Sequence, residues 1–181
     1  MTEARVLLRK YGPRLWTRDK ARAIRVVFEE QLEQLPELGT LVINAKGVEV
    51  FDFSFANELF GRLVLSLQSS TTPRFVVVEQ LEPYARENLE KALQILNLTI
   101  VERRPSRAAL LGKAGPPDEE TFAALSKAKR PLTAVQLAEQ LGTTLTAMNE
   151  RLAKLARLGL VARVRAQTPI GREPYAYVAP A

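Results

Sequence analysis

Thr143, Thr144, Thr146, Asn149, Glu150, Arg151 and Lys154 fall within one short stretch of the chain, and Arg163, Arg165 and Arg172 follow it. Hydroxyl, amide and guanidinium groups gathered in this way suit hydrogen bonding to base edges in a DNA groove, and the arginines suit neutralisation of phosphates. Glu150 fits either acceptance from a cytosine amino group or repulsion of phosphate. Covalent chemistry lacks its usual agents. The chain has no cysteine and no histidine, which removes thiolate nucleophiles, imidazole bases, disulfides and the ligands of nearly every zinc site. No nucleophile–base pair, metal cluster or phosphate-cradling glycine loop can be assembled from what remains. The expectation is a binding protein that is not an enzyme and uses no cofactor or metal.

Two helices and a hairpin must position these groups. Thr133 reads as the N-cap of a first helix that buries Val135, Leu137, Ala138 and Leu141, and Gly142 supplies the corner after it. Thr143 or Thr144 caps a second helix reaching Leu158. Its Leu145, Met148, Leu152, Leu155 and Leu158 recur at three- and four-residue intervals, so Thr146, Asn149, Glu150, Lys154 and Arg157 point away from that stripe. Residues 160–167 then set Ala162, Val164 and Ala166 against Arg163 and Arg165, the pattern of a strand with one basic face. A turn over Thr168–Glu173 leads to a second strand, Pro174–Val178. Upstream, Asp118 caps a helix through Lys127 that buries Phe122, Leu125 and Ala128 and stops at Pro131.

The Leu137-Ala138 pair, the Gly142 corner and the run Leu152-Ala153-Lys154-Leu155-Ala156-Arg157-Leu158-Gly159-Leu160-Val161 resemble the winged helix-turn-helix transcriptional regulators. That resemblance implies a recognition helix over 143–158 in the major groove and a wing over 161–178 on the backbone. Arg163, Arg165 and Arg172 become phosphate or minor-groove contacts. The pair Glu150-Arg151 departs from the basic or histidine pair that many relatives carry there.

The first part of the chain alternates strand and helix. A strand from Ala4 to Lys10 precedes a helix capped by Thr17, with Ala21, Ile24, Val27, Phe28, Leu32 and Leu35 on one face and Pro36 as its stop. Thr40–Asn44 reads as a buried strand, Ser54–Gln68 as a helix, Arg74–Glu79 as a strand and Pro83–Leu96 as a helix. A last strand over Leu98–Glu102 leads into a short helical tail near Ser106–Leu111. The expected fold class is therefore an α/β domain with a mainly parallel or mixed four-stranded sheet and helices, joined to an α+β C-terminal unit. The segment Leu41–Leu59, with its Gly47-Val48 loop and Ser54-Phe55-Ala56-Asn57-Glu58-Leu59 helix start, is similar to STAS-like domains, relatives of the anti-sigma-factor antagonists. Leu15-Trp16-Thr17-Arg18-Asp19-Lys20-Ala21 fits the same pattern. The resemblance implies a regulatory serine at Ser54, where a phosphate would meet a helix N-terminus. The residues alone read Ser54 as an N-cap, Asp52 and Glu58 as cap and surface charges, and Trp16 as a hydrophobic staple. Arg103, Arg104 and Arg107 read as a solvated stretch.

Glycine and proline interrupt the periodicity over residues 112–117, which divides the chain into a domain over 1–112, a linker over 113–117 and a domain over 118–181. The net charge of +6 divides evenly about Pro116, with 17 basic and 14 acidic side chains before it and 9 and 6 from it onward. The smaller C-terminal part is thus the more densely basic. No apolar run reaches membrane-spanning length and no signal peptide opens the chain, so a cytoplasmic protein without a membrane partner is expected. The functional expectation is a regulator of transcription that binds double-stranded DNA as a homodimer, with the STAS-like part sensing, dimerising or binding a protein partner. The alternatives are a partner-switching regulator and an architectural protein that coats DNA without sequence preference.

Overall fold

The computed structural model describes residues 2–165 and 175–180. Arg172, the turn over Thr168–Glu173, and Ala166, Gln167 and Pro174 of the expected hairpin strands lie outside them. In chain order the elements begin with β1 (Glu3–Leu7), a 3-10 turn at Leu8–Tyr11, β2 (Arg14–Leu15), α1 (Arg18–Glu33), β3 (Thr40–Asn44), β4 (Val50–Phe51) and α2 (Phe53–Ala56). A π turn, Asn57–Gly61, carries α2 into α3 (Arg62–Ser69), followed by β5 (Phe75–Glu79), α4 (Pro83–Ile95), β6 (Thr99–Arg103) and β7 (Ala108–Gly112). Then come α5 (Pro116–Ala128), β8 (Leu132–Thr133), α6 (Ala134–Gln140), α7 (Leu145–Arg157), β9 (Ala162–Arg165) and β10 (Tyr175–Val178).

The main sheet has the order β1-β3-β5-β6-β7. Its first four strands are parallel, and β7 returns antiparallel to β6. Each crossover steps one strand in the same direction. Right-handed crossovers of that kind put every helix on the same face. Ile24 and Phe28 of α1, Phe55 of α2, Leu59 and Phe60 of the π turn, and Leu89 and Leu93 of α4 share one core with Val6, Leu41, Ile43, Val76, Val78 and Ile100. Because side chains alternate across a strand, Val77 and Val101 point the other way. They belong to a second core, with Phe122 and Leu125 of α5, Leu137 of α6, and Met148, Leu152 and Leu155 of α7. The C-terminal helices thus close the sheet's second face.

Local chemistry explains several element boundaries. Thr17 Oγ1 accepts from Lys20 N at 3.5 Å at the start of α1, and Pro83 occupies the first turn of α4, where no intrahelical donor is lost. Asp52 Oδ1 accepts from Phe55 N at 2.7 Å. Asp52 is therefore the cap of α2, and Ser54, expected as the N-cap, lies half-buried within the first turn.

The fifth strand corrects the expected helical tail. Residues 106–111 do not form a helix, because Ala108–Gly112 completes an antiparallel ladder from Arg103↔Ala108 to Thr99↔Gly112. Leu111 enters the first core while Ala108 and Leu110 face the second. Gly112 is required by close approach. With φ at +112°, a Cβ there would stand 2.4 Å from the Leu98 carbonyl oxygen. The first strand is likewise shorter than expected, ending at Leu7, where the 3-10 turn begins. A small parallel ladder, β2 with β4, adds a pairing that two-residue strands give no periodicity to reveal.

Charges expected on the surface are bound into the structure. Glu58 is 9 % exposed, and Arg22 and Arg25 of α1 reach its carboxylate at 3.7 and 3.3 Å. The hydrogen bond from Arg25 to Glu29, with Glu58 adding to it, holds the guanidinium still more firmly protonated against the cost of burial. Arg104 Nη2 lies 2.6 Å from Glu102, and Arg103 pairs with Glu3 and Glu79. Those two arginines are not the solvated stretch expected, whereas Arg107 is exposed.

Because Phe122 fills the core between sheet and C-terminal helices, Phe122→Ala should cost about 3–5 kcal/mol. Trp16, the only tryptophan, lies on the far side of that junction in the chain. Its fluorescence should report the lowered denaturant midpoint. An unchanged midpoint at Trp16 would show that the two parts unfold separately.

Candidate nucleic-acid interface

Two Schellman endings set the geometry of α6 and α7. Thr143 N donates to Ala138 O at 3.0 Å and Gly142 N to Glu139 O at 3.4 Å, closing α6. Leu160 N donates to Leu155 O and Gly159 N to Ala156 O, both at 3.0 Å, closing α7. Gly142 and Gly159 take φ values of +60° and +73°, the left-handed conformation this motif needs at its C′ residue. The helix starts are equally definite. Thr133 and Gln136 form a reciprocal capping box, with bonds of 3.2 and 3.0 Å. Thr144 Oγ1 accepts from Ala147 N at 3.2 Å, so Thr144 rather than Thr143 caps α7.

On α7, Met148, Leu152 and Leu155 are buried as the stripe requires. Leu145 and Val135 depart from expectation: they are 47 % and 50 % exposed. Both sit in the first turn of their helices, ahead of the point where α6 and α7 meet the core. Lys154 is exposed as expected and Arg151 is half-buried, and both are paired within the protein. Lys154 Nζ donates to Asp118 Oδ2 at 2.6 Å, and Arg151 Nη1 stands 3.5 Å from Glu120 Oε2, both across to α5. Asp118 is therefore not the cap of α5, a position held by Gly115; its carboxylate is buried and anchors α7. Asp118 and Glu120 carry no local sequence signal for this role, since their partners lie more than thirty positions away.

What remains outward on α7 is Thr144, Thr146, Asn149, Glu150 and Arg157, with Thr143 half-buried beside them. The three-stranded sheet β8-β10-β9 flanks the helices. β9 and β10 pair antiparallel, with Arg165 opposite Tyr175 and Arg163 opposite Tyr177. Arg163 and Arg165 are exposed on one face. The Arg163 guanidinium lies 4.1 Å over the Tyr175 ring, a cation–π contact that restricts the arginine while leaving its donors outward. Tyr175 is the partner that sequence reasoning missed; strand alternation indicated its face but not the cross-strand neighbour.

Chemically, the outward groups can donate and accept hydrogen bonds on one helix and neutralise anions from one strand. No group of three or more Asp or Glu among the described residues is arranged to hold a metal ion. No described helix is long and apolar enough to cross a membrane. Ser54 lies in the other part of the chain, in the first turn of α2, and is not brought to this surface. The chain matches no protein-family model and no curated protein.

Lys154→Ala should lower stability by about 1–3 kcal/mol, because it strands the buried Asp118 carboxylate without its charged donor. Asn149→Ala, on the outward side of the same helix, should stay within about 0.5 kcal/mol of the parent. Urea midpoints of the two variants make the comparison. Equal midpoints would remove the ion pair from the account of how α7 is held.

Proposed function

We propose that the protein is a regulator that binds double-stranded DNA, with the outward side of α7 in the major groove and Arg163 and Arg165 on the phosphate backbone. The observation that carries this reading is the partition of α7. Its apolar side is buried, Arg151 and Lys154 pair with carboxylates of α5, and Thr146, Asn149, Glu150 and Arg157 are left outward without such a partner among the described residues. Three helices with the β8-β10-β9 sheet resemble a winged helix, the arrangement in which a second helix reads bases and a hairpin holds backbone. The α/β part resembles a STAS-like domain and serves as the unit for dimerisation, sensing or protein contact. A homodimer on paired half-sites fits this class of reader. A chain without cysteine fits work in the cytoplasm, where disulfides are rarely used.

The division of labour on this surface separates two kinds of variant. Arg163→Ala/Arg165→Ala should weaken duplex binding on every sequence and flatten the salt dependence by about 0.9 log unit per lost phosphate contact. Asn149→Ala should leave the slope intact and relax the preferred motif instead. Selection of bound genomic fragments, with binding isotherms at several salt concentrations, reads both effects. A wild-type protein that retains no motif is an architectural binder, and one that binds no duplex is not a DNA regulator.

A further inference from the structure

The turn between β6 and β7 and the C-terminal half of α5 border an open surface cavity of about 540 Å³. Arg103, Arg104, Arg107, Lys127 and Lys129 line it, and no carboxylate does. Arg103 and Arg104 spend their charge on Glu3, Glu79 and Glu102. Arg107, Lys127 and Lys129 have no ion pair among the described residues and are exposed. Like charges around a concave surface focus a positive potential there. The hairpin is tight, since Arg104 N donates to Arg107 O at 2.8 Å, and its exposed Pro105-Ser106 tip and Arg107 line the cavity opposite α5.

Lys129 ends α5. It takes the left-handed C-cap of α5 with φ at +52°, a conformation in which glycine is favoured.

We infer that this cavity binds a small phosphorylated anion of the nucleoside polyphosphate class, held by Arg107, Lys127 and Lys129. A phosphate monoester brings about −1.5 to −2 charges, so two phosphoryl groups match the three uncompensated cations. Ser106 and Ser126 supply hydroxyls, and Pro105, Ala108 and Ala123 give an apolar surface for a ring. The volume falls within the range of small-molecule sites. The site is separate from the α7 surface. Asp118 holds α7 near the start of α5, and Lys127 lies about 13 Å further along that helix at 1.5 Å per residue. The assignment stands on the cavity alone and does not depend on the DNA reading.

Calorimetric titration of the full-length protein with ATP and with pyrophosphate, at about 150 mM salt to screen diffuse attraction, tests it. ATP should bind with a Kd below about 1 mM, at least about tenfold more weakly in Arg107→Ser/Lys127→Ser, and unchanged in Arg163→Ala/Arg165→Ala. Lys129→Gly should also weaken ATP binding while holding or raising Tm, because glycine suits that backbone. A purely structural lysine cannot give that pair of results. No heat at millimolar ATP, full binding in the Arg107/Lys127 variant, or loss in the Arg163/Arg165 variant would overturn the site. Duplex affinity that falls in the Arg107/Lys127 variant without any ATP binding would make the cavity a backbone contact and overturn it as well. Pyrophosphate binding as tightly as ATP would overturn the nucleoside assignment.

Discussion

Every βαβ crossover in this chain places its helix on the same side of the sheet, and the consequence governs the rest of the molecule. Strands β3 and β5 are buried along their whole length and β6 over residues 99–102, so the side without crossover helices must find another cover or expose Val77 and Val101 to water. The C-terminal helices provide it. Phe122 and Leu125 of α5 lie against that side, and the same helix carries the aliphatic side chains that receive α6 and α7. A single helix thus belongs to two interfaces. The outward side of α7 is mounted on the sheet through shared packing rather than suspended from a tether.

Polar groups follow from this arrangement. The sheet's charged residues sit where the apolar cover ends, and they are satisfied in place: Glu79 is 6 % exposed, accepts from Asn44 Nδ2 at 2.7 Å and pairs with Arg5 at 3.0 Å. Leaving such a carboxylate without partners would cost more than the network returns, which is why the four groups Arg5, Asn44, Glu79 and Arg103 assemble from four different strands. On the helical side, Glu58 is treated in the same way by Arg22 and Arg25. Around α7 the rule reverses. Arg151 and Lys154 pair with Glu120 and Asp118, while Thr146, Asn149, Glu150 and Arg157 on its outer side, and Arg165 on β9, are exposed with no ion pair among the described residues.

The position of α5 also ties the two concave or polar features of the surface together. Its first turns hold α7 through Asp118 and Glu120, and its last turns line the basic cavity against the β6–β7 hairpin. Any ligand that drew Arg107 and Lys127 together would act on the helix that fixes the orientation of α7. Coupling of this kind requires that the ligand prefer one placement of α5 over another, since equal affinity for both shifts nothing.

By itself the sequence determined what depends on near neighbours. The spacing of Met148, Leu152 and Leu155, the threonine caps at 17 and 133, a cap at 143 or 144, and the glycines at 142 and 159 marked the helices and their ends, because periodicity and capping are local properties. The apolar runs over residues 41–43 and 75–78 marked β3 and β5 as strands. Tertiary structure alone decided what depends on distant residues. Residues 108–112 have the composition of a short helix and become a strand because β6 offers an unpaired edge and Gly112 permits close approach to Leu98. Glu58 and Lys154 look like surface charges until α1 and α5 bring Arg25 and Asp118 to them. Chain position gives no sign of either meeting, since each joins residues more than thirty positions apart and its energy exists only once the intervening core has packed.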